Sequence, residues 1–169
     1  MLILAIDPGP ERCGVVLYDA AAGVVRLAWA DMPVAMVAER LIAAHPEMRP
    51  FCAGQPYALP PAAIVAIERV QSAGIAGASL LQTSEVVGRL QQAAAFAGYT
   101  VRLVYRREVC SALHVHGAGK DAQVRQRMLE MHPGGVGTKK APGPLYGVTS
   151  HAWQALGLAV AVAGMDARP

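Results

Sequence analysis

The chain has 169 residues, 54% of them hydrophobic, which suits a single domain with a substantial core over residues 1–169. Its formal net charge of +3 is too small for a protein that packages nucleic acid without regard to sequence, so a nucleic-acid surface would have to be local. Three widely separated cysteines without a C-x-x-C spacing argue against a structural zinc site or a disulfide framework, and they favour a cytoplasmic location.

The first part of the chain predicts three strands and a helix. Residues 2–6 form an apolar run that stops at Asp7-Pro8-Gly9, which is the pattern of a buried strand that runs into a tight turn. Because this run is short and no basic residues precede it, we do not expect a signal peptide. Residues 13–18 and 24–29 are further apolar, β-branched runs, and residues 34–44 have helical spacing. A meander of three strands therefore precedes the first helix.

The middle of the chain predicts one more strand and a long helix. A loop rich in proline and glycine, residues 45–61, precedes an apolar strand at residues 63–67 that stops at Glu68. The stretch rich in Ala, Leu and Gln at residues 79–97 is typical of a helix, and Gly98 marks its end.

The remaining elements complete an α/β pattern. A fifth strand at residues 101–105 is followed by helical pieces at residues 107–114 and 121–131, and then by a glycine-rich loop at residues 132–147. Three antiparallel strands followed by alternating strands and helices predict a mixed five-stranded sheet with helices on both faces.

The last helix is expected at residues 150–163, with Thr149 or Ser150 as its N-cap. Its apolar run covers about half of a membrane span. We therefore expect no membrane association.

Two carboxylates stand at the ends of apolar strands. Asp7 ends the first strand and Glu68 the fourth, so their side chains meet if those strands are neighbours. Close carboxylates repel each other unless a cation lies between them, and oxygen ligands suit Mg²⁺ or Mn²⁺. Each acid taken alone is more typical of a turn or helix cap. The pair gains specificity from Gly9 and Gly14, which allow a second backbone to turn back close beside the first strand.

Several segments together carry a resemblance to a known family. LAIDPGPERCGVVLYD resembles the opening hairpin of RuvC-type Holliday junction resolvases, and VAIERVQS resembles their second acidic motif. The segments GRLQQAAAFAG, YRREVCSALHVHGAGKDAQVRQRM and HAWQALGLAVAV follow in the family's order and approximate spacing, so the resemblance covers nearly the whole chain. It implies a ribonuclease H-like fold and a metal-dependent endonuclease that cuts four-way junctions or related branched DNA.

The resemblance also implies a set of metal ligands. By position these are Asp7, Glu68, His151 and Gln154, which would bind two Mg²⁺ or Mn²⁺ ions that promote hydrolysis of a DNA phosphodiester by water. Residues 151 and 154 are one helical turn apart on one face, so both can face the same site. The family has an acid or, in some members, histidine at the position of His151. At the position of Gln154 it has an acid, whereas glutamine supplies only a neutral amide oxygen.

This departure from the family pattern leaves three interpretations open. The site works with an amide ligand at Gln154, another acid completes it, or the protein binds junctions without cutting them. For His151 the alternative is a buried structural histidine, since a lone histidine on an apolar helix more often has that role.

The resemblance also implies contacts to DNA, with a solvated surface charge as the alternative for the lysine and the two arginines. The residues concerned are Gln71, Ser72, Gly77, Arg106, Arg107 and Lys120. Lys120 matches a family lysine near the scissile phosphate and is also implied in catalysis, because a fixed ammonium there would offset developing negative charge. The arginines begin a helical segment and are candidates for phosphate contact.

Two other functions are compatible with these motifs. A branched-DNA binding protein without catalysis remains open because of Gln154. A YqgF-like nuclease that acts on RNA is the other alternative, although the segment AIERVQ fits the resolvase pattern better. Symmetric cutting of a junction needs two active sites, so the resemblance implies a homodimer. The helix at residues 79–97 is the candidate interface, with burial in the core as the alternative.

Overall fold

The structure is a computed structural model that describes residues 1–45, 64–71, 77–115 and 121–166. These ranges contain the strands β1 (Leu2–Pro8), β2 (Arg12–Asp19), β3 (Val24–Pro33), β4 (Ile64–Arg69) and β5 (Thr100–Tyr105). They contain the helices α1 (Val34–Ala43), α2 (Ala78–Phe96), α3 (Arg106–Ala112), α4 (Asp121–Met131) and α5 (Ala152–Asp166). The predicted order of strands and helices is confirmed.

The five strands form one mixed sheet in the order β3-β2-β1-β4-β5. The first three strands pair antiparallel, whereas β4 is parallel to both β1 and β5. Ile6 of β1 lies opposite Ile67 of β4, so the residues that follow them, Asp7 and Glu68, stand side by side at the same edge of the sheet. The adjacency on which the predicted acid pair depended is confirmed.

Apolar layers cover both faces of the sheet, as predicted. Along β1, Ile3 and Ala5 belong to the core that α5 covers, whereas Leu4 and Ile6 belong to the core under α1 and α2. Helix α5 is buried continuously from Ala152 to Val162, because the sheet, α3 and α4 surround it. In the described ranges, no helix is long and apolar enough to cross a membrane.

Several element boundaries differ from the prediction by a few residues, and two of these differences have a physical reason. Strand β3 continues to Pro33, because Pro33 and Met32 still pair with the start of β2. Helix α5 begins at Ala152, and the prediction that Thr149 or Ser150 caps it is wrong, since Ser150 has a φ of 42° and precedes the helix by two residues. The predicted loop at residues 45–61 lies outside the described residues apart from its first position. The expectation of a single domain stays a prediction.

Candidate active site

Asp7 and Glu68 form a partly buried pair of acids at the edge where β1 and β4 end. Burial raises the pKa of Asp7 to about 6 and that of Glu68 to about 7, and the charge of Asp7 adds to the rise at Glu68. The two groups therefore hold protons at pH values where isolated carboxylates do not. A cation beside them would release those protons, which is the electrostatic character of a metal site.

Among the described residues, Arg106 has the strongest positive-charge effect on this pair. Its guanidinium contacts two acids, with Nη1 3.3 Å from Oε2 of Glu68 and Nη2 2.9 Å from Oδ1 of Asp121. Arg106 begins α3 directly after β5, the sheet neighbour of β4, so the topology brings it next to Glu68. Its charge lowers the pKa of Asp7 and Glu68 and so opposes the effect of burial.

Asp121 is a third carboxylate at this site, and the sequence motifs do not indicate it. It is the first residue of α4, and its side chain is 78% exposed. Its charge is close enough to raise the pKa of both Asp7 and Glu68. In the sequence it is an acid in the first turn of a predicted helix, which is an ordinary feature of helix starts. Only the tertiary packing of α4 distinguishes it.

Helix α5 fixes the start of α4. A side chain at Gly157 of α5 would place its Cβ 2.6 Å from Cγ1 of Val124, so the absence of a side chain lets the two helices approach closely. One turn earlier, Nε2 of Gln154 donates a hydrogen bond to the carbonyl oxygen of Asp121 at 3.4 Å. These contacts hold Asp121 beside the acid pair.

His151 stands beside Asp7 because the backbone before α5 packs directly on β2. Gly14 lies opposite Asp7 in the β1–β2 pair, and a Cβ at Gly14 would lie 2.6 Å from the carbonyl carbon of His151. Gly14 is therefore required by its contact with the start of α5. Gly9 lies in the hairpin turn as expected, close to the backbone of Arg12. The His151 side chain is exposed, and its charge lowers the pKa of Asp7.

Gln154 is buried, with 5% of its surface exposed. Its Nε2 is used in the bond to the Asp121 carbonyl, but its Oε1 is buried and has no hydrogen-bond partner in the described part of the chain. A buried amide oxygen without a partner is unfavourable unless a cation or donor reaches it. His151 and Gln154 also line one cavity of about 640 Å³ together with Asp121.

The donor set can be compared with what a divalent cation requires. Within the described ranges, no three His, Cys, Asp or Glu side chains form a ready-made ligand cage. Mg²⁺, however, is commonly held by one or two carboxylates and keeps several waters. Asp7 and Glu68, adjacent at the ends of β1 and β4, meet that requirement. The residues present therefore fit a hydrated divalent cation better than a fully protein-bound one.

Comparison with solved structures finds a similar architecture in two structures of one bacterial protein. A structure of Thermus thermophilus RuvC is similar, with a TM-score of 0.63 and 21% identity over 98% of this chain and 95% of that chain. The chain has the RuvC fold. T. thermophilus RuvC in complex with a Holliday junction substrate matches with a TM-score of 0.62 and 20% identity, over 98% and 94% of the two chains. No protein-family model and no curated protein matches the chain. The predicted ribonuclease H-like fold is confirmed.

The predicted DNA contacts take different positions on this RuvC fold. Arg106 turns toward the acids, whereas Arg107 is exposed. The guanidiniums of Arg107 and of Arg69, which the sequence analysis did not single out, each lie 5.1 Å from the centre of the Tyr105 ring. The structure places Gln71 exposed just beyond β4 and Gly77 at the N-cap of α2. Ser72 and Lys120 lie outside the described residues.

The candidate dimer helix of this RuvC fold has two kinds of surface. Val86, Leu90 and Ala94 of α2 are buried in the core, whereas Leu81 and Phe96 are 56% and 55% exposed. Core burial and an outward apolar surface therefore coexist on this helix. The homodimer stays a prediction.

Proposed function

We propose that this chain is a metal-dependent endonuclease that cuts four-way junctions or related branched DNA. The observation that carries the proposal is the side-by-side placement of Asp7 and Glu68 at adjacent strand ends, where burial raises their pKa values to about 6 and about 7. The RuvC fold supports it, since a protein with this fold has been solved with a Holliday junction substrate. We further propose that the protein acts as a cytoplasmic homodimer.

In this proposal the acid pair holds two Mg²⁺ or Mn²⁺ ions, with His151 and the amide oxygen of Gln154 as further donors. When bound, such ions activate water and offset charge on the phosphodiester. Asp7 and Glu68 lose their protons when a cation arrives, because positive charge favours the ionised carboxylates. Gln154 also keeps α4 in place through its bond to the Asp121 carbonyl.

We propose that Arg69, Tyr105 and Arg107 contact phosphates beside the cleaved one. The two guanidiniums lie on one tyrosine ring just beyond β4 and β5, at the same edge as Glu68. Where residues are described, neither arginine has a carboxylate within salt-bridge distance, so both charges are available to phosphate oxygens. Lys120 and Ser72 remain proposed contacts on the strength of the family resemblance alone.

A second candidate is a protein that binds junctions without cutting them. Gln154 favours it, because the side chain at the family's acid position is neutral and its nitrogen is engaged with the start of α4. Binding would then depend on the arginines, and the acids would have no chemical role. This candidate predicts junction affinity without metal-dependent nicking.

The test is a titration of Mg²⁺ or Mn²⁺ into a four-way junction, with the products separated on a denaturing gel. We expect metal-dependent nicks near the branch point, and little cleavage of a linear duplex of the same sequence. Binding without nicks at any metal concentration would favour the second candidate. Preferential cleavage of an RNA strand in a parallel reaction would instead favour the YqgF-like alternative.

A further inference from the structure

The guanidinium of Arg106 contacts two acids at the centre of the site, and a third acid lies beside them. Arg106 donates hydrogen bonds to Glu68 and to Asp121, while Asp7 is the sheet neighbour of Glu68. The two partners of Arg106 differ in environment, because the Glu68 side chain is 14% exposed and that of Asp121 is 78% exposed. The guanidinium thus joins an inner acid to an outer one.

The geometry of the two contacts also differs. The inner contact to Glu68 is 3.3 Å long, whereas the outer contact to Asp121 is 2.9 Å, within the usual range of a charge-assisted hydrogen bond. The Arg106 side chain is 27% exposed, so it lies partly at the surface of the site. A small outward shift would give up the longer bond and keep the shorter one.

A divalent cation at the acid pair would repel the guanidinium that contacts Oε2 of Glu68, since both carry positive charge and compete for the same carboxylate. We propose that Arg106 is a built-in counter-ion that holds Glu68 in the metal-free protein, that a divalent cation displaces it, and that Asp121 then retains it at the rim of the site. Arg106 is a positioning residue in this scheme. The inference rests on the proposed metal site at Asp7 and Glu68.

The arrangement would have two consequences. In the metal-free protein, the guanidinium offsets the repulsion between acids that burial makes unfavourable. Once a cation is bound, Asp121 keeps the Arg106 charge next to the position that a phosphate would take. Asp121 is thus an anchor for Arg106 and need not contact the ion. Because Asp121 is exposed, it can hold Arg106 both before and after a cation binds without adding a buried charge.

The experiment measures Mn²⁺ binding by isothermal titration calorimetry at pH 8 without DNA. R106Q removes the competing charge, so its dissociation constant should fall by roughly tenfold, the effect of one nearby unit charge on a dication in a hydrated site. R107Q is the matched control, because it removes the same charge from the neighbouring residue, whose guanidinium lies on Tyr105. Its dissociation constant should stay within about twofold of the wild-type value, since an exposed charge is largely screened.

A thermal measurement and a second variant keep the proposal testable if the calorimetry or the folding of R106Q fails. The Mn²⁺-induced rise in melting temperature should be larger for R106Q than for the wild type, because ligand stabilisation follows affinity. If R106Q does not fold, R106M replaces it. Methionine removes the charge but keeps an unbranched side chain, so Mn²⁺ should bind R106M more tightly than wild type. An equal or larger dissociation constant for R106M would overturn the proposal.

A double-mutant cycle tests the role of Asp121. D121N should weaken Mn²⁺ binding in the wild-type background, because a displaced Arg106 loses its anchor, and it should have a smaller effect in the R106Q background. An equal loss in both backgrounds would mean that Asp121 acts on the ion directly and would overturn its anchoring role.

The outcomes also separate this inference from the proposed function. If D7N abolishes Mn²⁺ binding but R106Q leaves it unchanged, the counter-ion role of Arg106 is overturned and the proposed metal site is not. If neither wild type nor R106Q binds Mn²⁺, both the proposed metal site and the counter-ion role of Arg106 are overturned.

Discussion

Asp7 shows most clearly, at the scale of one residue, how the site opposes the stability of the fold. Burial raises its pKa to about 6 from a reference value of 3.8, so the folded protein binds its proton more tightly than the unfolded chain does. The stability associated with that proton is fully present below pH 3.8 and is lost as the pH rises through about 6. At pH 8 the ionised Asp7 therefore destabilises the metal-free protein.

D7N removes this penalty, since asparagine is neutral at every pH. We expect it to raise the free energy of unfolding of the metal-free protein at pH 8 by about 2 kcal/mol, the size of a pKa shift of roughly two units with allowance for partial solvent exposure. Urea denaturation at pH 8 and at pH 4 measures the effect. The difference between variant and wild type should shrink toward pH 4. A variant no more stable than wild type at pH 8 would contradict the assigned burial of Asp7.

Single residues also mark the limit of prediction from the sequence. Asp7 and Glu68 could be predicted because each ends an apolar strand, and that pattern is local. Asp121 could not, because an acid in the first turn of a helix is ordinary until the packing of α4 brings it to the site. Arg106 and Arg107 are identical neighbours in the sequence, yet one faces the acids and the other lies on Tyr105. Side-chain direction of that kind depends on tertiary contacts.

At the scale of elements, the crossing of α4 and α5 positions the outer part of the site. The strands and helices could be predicted from apolar runs and helical spacing, whereas this crossing depends on one glycine that the pattern does not single out. Gly157 faces Val124, whereas a methyl group at Gly164 on the same helix would meet nothing within 4 Å among the described residues. The start of α5 also differs from the prediction, because Ser150 has a left-handed φ that interrupts the helical backbone there.

G157A should lower the free energy of unfolding by about 1–3 kcal/mol, the usual effect of overpacking a tight core contact. G164A is the matched control and should be neutral or slightly stabilising, since alanine favours helix more than glycine does. Thermal or urea denaturation of both variants measures the difference. Adding V124A to G157A should recover part of the loss, because it removes the clashing methyl groups. Equal stability of G157A and G164A would argue against the close crossing.

At the scale of the whole molecule, the modest net charge of +3 means that affinity for DNA must come from local positive groups. The stacked Arg69 and Arg107 are such groups, and they lie at the edge that carries the acids. Arg26 offers a contrast, because it is paired with Asp19 at 2.7 Å on β2 and β3. The fold thus predicts binding at one edge of the sheet.

Junction affinity should fall steeply with salt, and the steepness should depend on these two arginines. R69Q and R107Q should each lower the magnitude of the log–log salt slope by about one, the value for one lost phosphate contact. R26Q is the control and should leave the slope unchanged. Fluorescence anisotropy with a labelled four-way junction over a range of KCl concentrations measures it. If the salt slopes of R69Q, R107Q and R26Q are equal, the sheet edge with Arg69 and Arg107 is not the DNA interface.

Cleavage of a four-way junction by variants of Asp7 and Glu68 tests whether these two acids form the active site. D7N and E68Q should lose Mg²⁺-dependent nicking while their junction affinity stays near that of wild type, because phosphate contacts by arginine and lysine dominate binding. E39Q, which neutralises an exposed acid on α1, should nick normally. Junctions that D7N and E68Q bind but leave uncut are the expected result. Full nicking by either variant would contradict the assignment of this site.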